Sequence, residues 1–390
     1  MLKSVVSFVR AAPALGIAVL MTAGLGNAAH RGTLQRVWDY HVSAIAGVGN
    51  HSVPLGVFAV SFSRDGQRIA AVVGRSSTYE SVLVVDSPSP DAHAARVDVN
   101  PKIWEQEPGA GNTRIEWSLS GRQILLAGRI VQVSDGTACS LPSGTLNAKF
   151  AGSNQVSAYE LKPSRIVFFD LECRPTDAWD LPQGEFVEAL DASAERGLVF
   201  ITQHKISHAH ITEVSERVID VSSRRVIRQL PIWRESTASL LLPVNYLLPK
   251  FAESGRAFCG MRGDIWHRIV VCSAVDTEQL LGATGDWNDP DVRTALRAPR
   301  IVISDYAKKL DFIDLFWYPG SVRKRVVWDL RAAKELARWK PKMQDAFIQV
   351  SPLLQPTAPK SYPFRFDISP DGEYIVEGGT GVISLYKIDS

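Results

Sequence analysis

The chain is sparing with the residues that would announce a reaction. Its 390 residues hold four cysteines and eight histidines, and no GxSxG, HExxH, P-loop or GxGxxG stretch occurs. The usual local signatures of serine hydrolases, zinc proteases and nucleotide enzymes are therefore missing, and no catalytic residue, metal or cofactor is implied. Ser321-Val322-Arg323-Lys324 fits S-x-x-K but lacks the companion motifs of that enzyme class. Charge of one sign is also missing. The 43 basic residues face 41 acidic ones for a net charge of +2, without a block of like charge, so nothing marks a nucleic-acid partner. The densest basic patch, SVRKR at 321–325, reads as a solvated strand entrance. Helical periodicity is nearly absent, which argues against a helical bundle.

What is present begins with a processing signal. Lys3 and Arg10 make a basic start, Ala11 to Leu25 is apolar, and Gly26-Asn27-Ala28-Ala29 offers small residues for cleavage. The apolar run is short of the roughly 20 residues of a comfortable membrane span, and no cysteine follows it to carry a lipid. Residues 1–29 are thus expected to be a signal peptide and 30–390 the folded domain, exported to the periplasm or extracellular space, with no transmembrane span after cleavage. The same physics would also serve an uncleaved anchor.

Seven times an Asp closes a strand that is mostly apolar: at Asp86, Asp135, Asp170, Asp220, Asp276, Asp329 and Asp389, as in LVVD, IVFFD, RVID and RVVWD. The intervals run from 35 to 60 residues, within the range of propeller-type repeats. The carboxylate at such an exit can accept backbone N–H groups of the following turn. Ahead of several of these strands lie two more, joined at a Ser-x-Asp-Gly or related turn. The clear copies are FAVSFSRDGQRIAAVV from 58, RIEWSLSGRQILLAG from 114 and FRFDISPDGEYIVEGG from 364. Short alternating strands at even spacing argue for an all-β repeat.

On the SPDG turn at 369 and the VWD at 327–329, the chain resembles the WD40 and YVTN-type β-propeller families over residues 32–390. The resemblance is to the secreted bacterial type and not to a strict WD40 protein, since most copies lack the Trp of the WD pair and the Gly-His start. The expected fold is all-β, a seven-bladed propeller in which each blade supplies strands a, b, c and d. The last unit has only three strands, so LQRVW before Asp39 is expected to complete it and remove two exposed edges. A competing reading makes Trp38-Asp39 the remnant of an eighth, partial blade.

In a meander blade the a–b and c–d turns share one face, and the b–c and d–a connections share the other. The tight turns fall on the first face. The long insertions fall on the second: 99–113, 203–212, 231–249, 282–298, 316–325 and 341–362. Aromatic residues stand beside charges there, with Trp266 and His267 a further pair at a strand edge, and Trp104, Trp233, Arg234, Trp266, Trp287, Trp317 and Tyr318 are the candidate binding residues. The same rings would also serve to shield blade cores beneath the loops. His204, His208 and His210 invite a metal reading, and Asp286, Asn288, Asp289 and Asp291 a calcium reading, but neither set has a complete ligand pattern.

Without CxxC spacing in an exported chain, the four cysteines read as bridges. Cys139 with Cys173 would clip neighbouring blades, and Cys259 with Cys272 would face each other across a hairpin. The alternative is four buried thiols. The function expected is a binding or scaffold module for a protein, peptide or glycan in the cell envelope. The alternative is an extracytoplasmic propeller enzyme of lactonase or quinoprotein-dehydrogenase type, by fold analogy.

Overall fold

The computed structural model describes residues 33–42, 56–75, 78–86, 95–98, 115–207, 210–234, 250–263, 268–277, 279–284, 291–310, 317–340, 366–379 and 381–389. Residues 1–29, and with them the signal-peptide expectation, lie outside that set.

The described chain is strand after strand, with a three-residue 3-10 turn at Glu253–Gly255. β1 (Leu34–His41) comes first. Blade 1 is β2 (Gly56–Phe62), β3 (Arg68–Arg75), β4 (Thr78–Asp86) and β5 (Ala95–Asp98). Blade 2 is β6 (Ile115–Trp117), β7 (Gln123–Leu126), β8 (Arg129–Gln132) and β9 (Ala138–Ser140). Blade 3 is β10 (Leu146–Phe150), β11 (Val156–Leu161), β12 (Ser164–Phe169) and β13 (Pro175–Asp180). Blade 4 is β14 (Glu185–Ser193), β15 (Leu198–Ser207), β16 (His210–Asp220) and β17 (Arg225–Arg234). Blade 5 is β18 (Lys250–Ala252), β19 (Ala257–Gly263), β20 (Arg268–Ala274) and β21 (Leu280–Ala283). Blade 6 is β22 (Asp291–Thr294), β23 (Arg300–Leu310), β24 (Trp317–Asp329) and β25 (Lys334–Trp339). Blade 7 is β26 (Phe366–Ile368), β27 (Tyr374–Gly378) and β28 (Val382–Ile388), with β1 hydrogen-bonded to the outer side of β28. Seven four-stranded antiparallel sheets in this order make a seven-bladed β-propeller.

The core is divided among the seams. Seven buried apolar clusters are found among the described residues, one between each blade and the next. β3 shows why its sequence, IAAVV, does not alternate between apolar and polar. Ala70 and Val72 pack toward blade 2, while Ile69, Ala71 and Val73 pack toward blade 7. With a strand period of two, a sheet covered on both faces needs apolar residues at every position.

The turns follow from local chemistry. In the a–b turn of blade 1 the Arg68 N–H donates to Ser63 Oγ (2.9 Å), the Gln67 N–H donates to Asp65 Oδ1 (3.0 Å), and Gly66 takes φ 78°. Blade 7 repeats this with Ser369, Asp371 and Gly372. At the c–d turns the strand-exit carboxylates act as the sequence suggests. Asp220 accepts the Ser223 N–H (2.7 Å), and Asp329 accepts those of Arg331 and Ala332 (2.9 and 2.8 Å).

Arginines then tie three of these turns to the next. Arg68 donates to the Gly121 carbonyl (2.7 Å), Arg196 to that of Gly255 (3.2 Å) and Arg300 to that of Gly372 (2.9 Å). In each case the acceptor is the turn glycine of the following blade. Two disulfides add covalent ties. Cys139–Cys173 joins β9 to the c–d turn of blade 3, and Cys259–Cys272 joins directly opposed residues of β19 and β20.

Two stretches read from sequence as insertions are strands instead. Residues 203–212 lie largely in β15 and β16, and 316–325 lie mostly in β24. The β23–β24 ladder continues to the Leu310–Trp317 pair, although β22 accompanies it only to Ser304 and β25 only to Arg325. A two-stranded ribbon of six residues on β23 and eight on β24 therefore runs about 20 Å past its flanking strands, at about 3.3 Å per residue.

Candidate functional site: the channel and its two ends

The innermost strand of each blade contributes one residue at an equivalent position, two places before the start of the a–b turn. These are Ser61, Glu116, Lys149, Asp191, Lys250, Arg293 and Asp367. The turn residues that fix the equivalence, Ser63, Ser118, Ala151, Ser193, Ala252, Ala295 and Ser369, are all buried. Six of the seven line one cavity of about 110 Å³, and Lys149, 2% exposed, joins them through its ion pair to Glu116.

Around the ring the charges form three neighbouring pairs. Lys149 bonds Glu116 on the preceding blade and lies 4.0 Å from Asp191. Lys250 lies 3.9 Å from Asp191. Arg293 acts on Asp367, whose carboxyl is raised above the ordinary range by burial, against the opposing pull of that guanidinium.

The two aspartates also solve a backbone problem. An innermost strand presents an unpaired edge to the channel, and its N–H groups need acceptors. Asp191 Oδ2 accepts the Phe251 N–H (2.7 Å), and Asp367 Oδ2 accepts the Phe62 N–H (2.9 Å). Both bonds run from one blade to the next.

At the tight-turn end, side chains reach across the opening. Arg64 of blade 1 pairs with Glu195 of blade 4 (2.6 Å) and donates from Nε to the Trp117 carbonyl (3.2 Å). Arg297 of blade 6 donates to the Arg64 carbonyl (3.0 Å). That end of the channel is spanned by an arginine network.

At the opposite end stand four of the residues singled out from sequence. Trp233 and Arg234 sit at the end of β17, and Trp317 and Tyr318 at the start of β24, all in strands rather than loops. Trp104, Trp266 and Trp287 lie outside the described residues. His204 lies in β15 and His210 in β16, on opposite sides of a hairpin turn, while His208, the i and i+2 partner of His210, lies outside the described residues. Asp291 opens β22, while Asp286, Asn288 and Asp289 lie outside. Among the described residues no group of three or more His, Cys, Asp or Glu is suited to hold a metal. None of the described helices is long and apolar enough to cross a membrane.

Sequence reasoning passed over the charged ring. Its signal was present: aligning the seven turns places a polar residue two positions before the turn, at the centre of VSF, IEW, AKF, LDA, PKF, VRT and FDI.

No protein-family model and no curated protein matches the chain. Solved structures do. The β-propeller domain of Myceliophteria thermophila Cps50 (Swd1) superposes with a TM-score of 0.55 at 15% identity, covering 88% of this chain and 100% of that one. A chain from the Mitotic Checkpoint Complex gives 0.50 at 11% identity, with 100% of both covered. The fold is shared. At these identities the likeness extends to the WD40-like propeller architecture and no further.

Proposed function

We propose that this propeller is an exported binding or scaffold module that engages a protein, peptide or glycan of the cell envelope through the face opposite its tight turns. The observation that carries the reading is the asymmetry of the two faces. Each described a–b connection is a short turn, and arginines tie several of those turns to one another. The d–a connections between β5 and β6, β17 and β18, and β25 and β26 each exceed a dozen residues and all open on the other face, where the β23–β24 ribbon also projects. Long connections on a rigid scaffold are where recognition residues concentrate. Trp233, Arg234, Trp317 and Tyr318 stand at strand ends on that side, and Trp104, Trp266 and Trp287 belong to the same proposed surface. Two disulfides suit an oxidising compartment.

The test compares wild type with a Trp233→Ala, Trp317→Ala double variant for retention of defined envelope components: peptidoglycan fragments, outer-surface polysaccharide and envelope proteins. A component held by the wild type and lost by a variant of unchanged melting temperature supports this face. Equal retention by both assigns binding elsewhere.

A further inference from the structure

The seam between blades 3 and 4 turns polar as it approaches the insertion-bearing face. Deeper in, Ile166 of β12 shares one apolar cluster with Val187, Ile201 and Ile219 of blade 4. Strand alternation puts Ser164 on the same face of β12 as Ile166, and Glu185, Gln203 and Arg217 on the same face of their sheet as Val187, Ile201 and Ile219. Polar side chains therefore occupy the end of the seam nearest that face. The Glu185 carboxylate accepts from the Gln203 amide and from Arg217 Nη1 (3.2 Å), and the side chains of Arg217 and Glu185 are 15% and 13% exposed. Gln203 is 2% exposed. Ser164 Oγ, Gln203 Oε1 and Arg217 Nε are nevertheless left over, buried and without a hydrogen-bond partner among the described residues. A buried polar atom in that condition costs free energy that a ligand or an ordered water recovers.

Ser164 and Glu185 also line an open groove of about 450 Å³, within the roughly 300–1,000 Å³ of small-molecule sites. Its walls include parts of the b–c connection of blade 3 (162–163) and of the d–a connection leading to blade 4 (181–184), and both connections belong to the insertion-bearing face. Of its apolar lining, Pro163 and Pro182 are exposed and Phe186 is half-buried. Its charged groups are already matched: Glu185 with Arg217, and Arg165 with Glu160 (2.7 Å) and with Asp180, its opposite in the ladder.

We infer that this groove binds a neutral saccharide, a mono- or disaccharide unit. A charged ligand would disturb pairs that are closed, so the ligand is neutral. The atoms lacking partners are an acceptor, a donor and a hydroxyl, and a sugar hydroxyl both donates and accepts from one atom. Gln203 and Arg217 stand one step behind the lining and meet the ligand through Glu185 or a bridging water. The C–H face of a sugar ring packs on the proline and phenylalanine surfaces. The inference rests on the reading of this face as the binding face and narrows its ligand class.

The experiment uses the full chain, with glucose, N-acetylglucosamine, maltose and cellobiose as probes and with glucuronate, glucosamine and trialanine as charged and peptide controls. Binding is followed by calorimetry, and crystals are soaked in each sugar that binds. The expected result is saturable binding of at least one neutral sugar, with its density in the groove and its hydroxyls bonded to Ser164 or Glu185. Affinity should be about three- to tenfold weaker in Ser164→Ala and in Gln203→Met. The wild-type soak decides even where Gln203→Met fails to fold. Competition by envelope polysaccharide identifies the sugar as a glycan end, and its absence identifies free sugar. Water alone in the groove, sugar density elsewhere, or a preference for glucuronate, glucosamine or trialanine overturns the inference. The Trp233→Ala, Trp317→Ala variant should bind the sugar as the wild type does. If no sugar binds while that variant still loses an envelope component, the groove fails and the proposed face stands; if both bind sugar alike and no component is lost, Trp233 and Trp317 fail and the groove stands.

Discussion

Removal of the Arg325 side chain tests how the sixth and seventh blades are held together. Arg325 is 2% exposed on β24. Its guanidinium pairs with Glu377 on β27, donates from Nε to Ser304 Oγ (2.9 Å) and lies over the Phe366 ring at 4.3 Å. Glu377 also accepts from Trp339 Nε1 (3.3 Å). Arg325→Ala leaves the Glu377 carboxylate inside the seam without its counter-ion, and breaking a buried pair from one side costs about 3–5 kcal/mol. At about 2.1 cal/mol/K per residue over roughly 360 residues, that loss lowers the melting temperature by about 4–7 °C. Scanning calorimetry and urea midpoints of wild type, Arg325→Ala and the Arg325→Met, Glu377→Leu double variant provide the check. The double variant removes both charges and fills their volume, so it should lose much less than the single. A single-variant cost below about 1 kcal/mol, or a double variant as damaged as the single, would refute the view that the pair's burial, rather than its mere presence, sets its energetic weight.

Cys139→Ser opens a loop of sequence separation 34 that bridges two blades, and chain entropy puts the cost at about 3–4 kcal/mol; denaturant midpoints with intact Cys259–Cys272 measure it. A methyl group at Gly378 would lie 2.4 Å from Val57 Cγ1 across the seam between blades 7 and 1. Gly378→Ala should therefore cost about 1–3 kcal/mol, and added Val57→Ala should recover part of it. The carboxyls of Asp135 and Asp220 are held below the ordinary range, first by the N–H groups of Thr137 and Ser223, and that of Asp276 by Arg196. Their contribution is fully present above the unfolded-state value near 4 and is lost as pH falls through the lowered values, so unfolding midpoints should drop in that acid window. Asp367 is raised by burial, so its contribution is present below the unfolded value and lost as pH rises through the folded one. Asp367→Asn should flatten that upper limb relative to wild type, a difference visible in melting curves taken from pH 4 to 8.

Much of the architecture was legible in short stretches because its causes are local. Ser-x-Asp-Gly makes its turn from its own hydroxyl, carboxylate and glycine, and the strand-exit Asp binds N–H groups two or three residues away. The strands read from sequence as short and alternating; the unbroken apolar run of β3 is explained only by the neighbouring blades that cover both of its faces. The residues of the proposed binding surface were visible only as types: a Trp beside a charge looks the same whether it recognises a partner or roofs a blade. The end of the β23–β24 hairpin reads as a loop in sequence because a ribbon without flanking strands has no buried face to impose alternation, whereas the polar QHK at the end of β15 is flanked by β14 and gives no apolar mark of it.

What the amino-acid order determines alone is the repeat: seven units of turn and strand, each with its polar inner residue. Which charges become neighbours is decided only when the sheets stand around a common axis. Glu116 and Lys149 are 33 positions apart and Arg325 and Glu377 are 52 apart, and none of these side chains carries a local mark of its partner. Electrostatic pairing depends on distance through space and on exclusion of water, and both are properties of the assembled seams and channel rather than of any single segment.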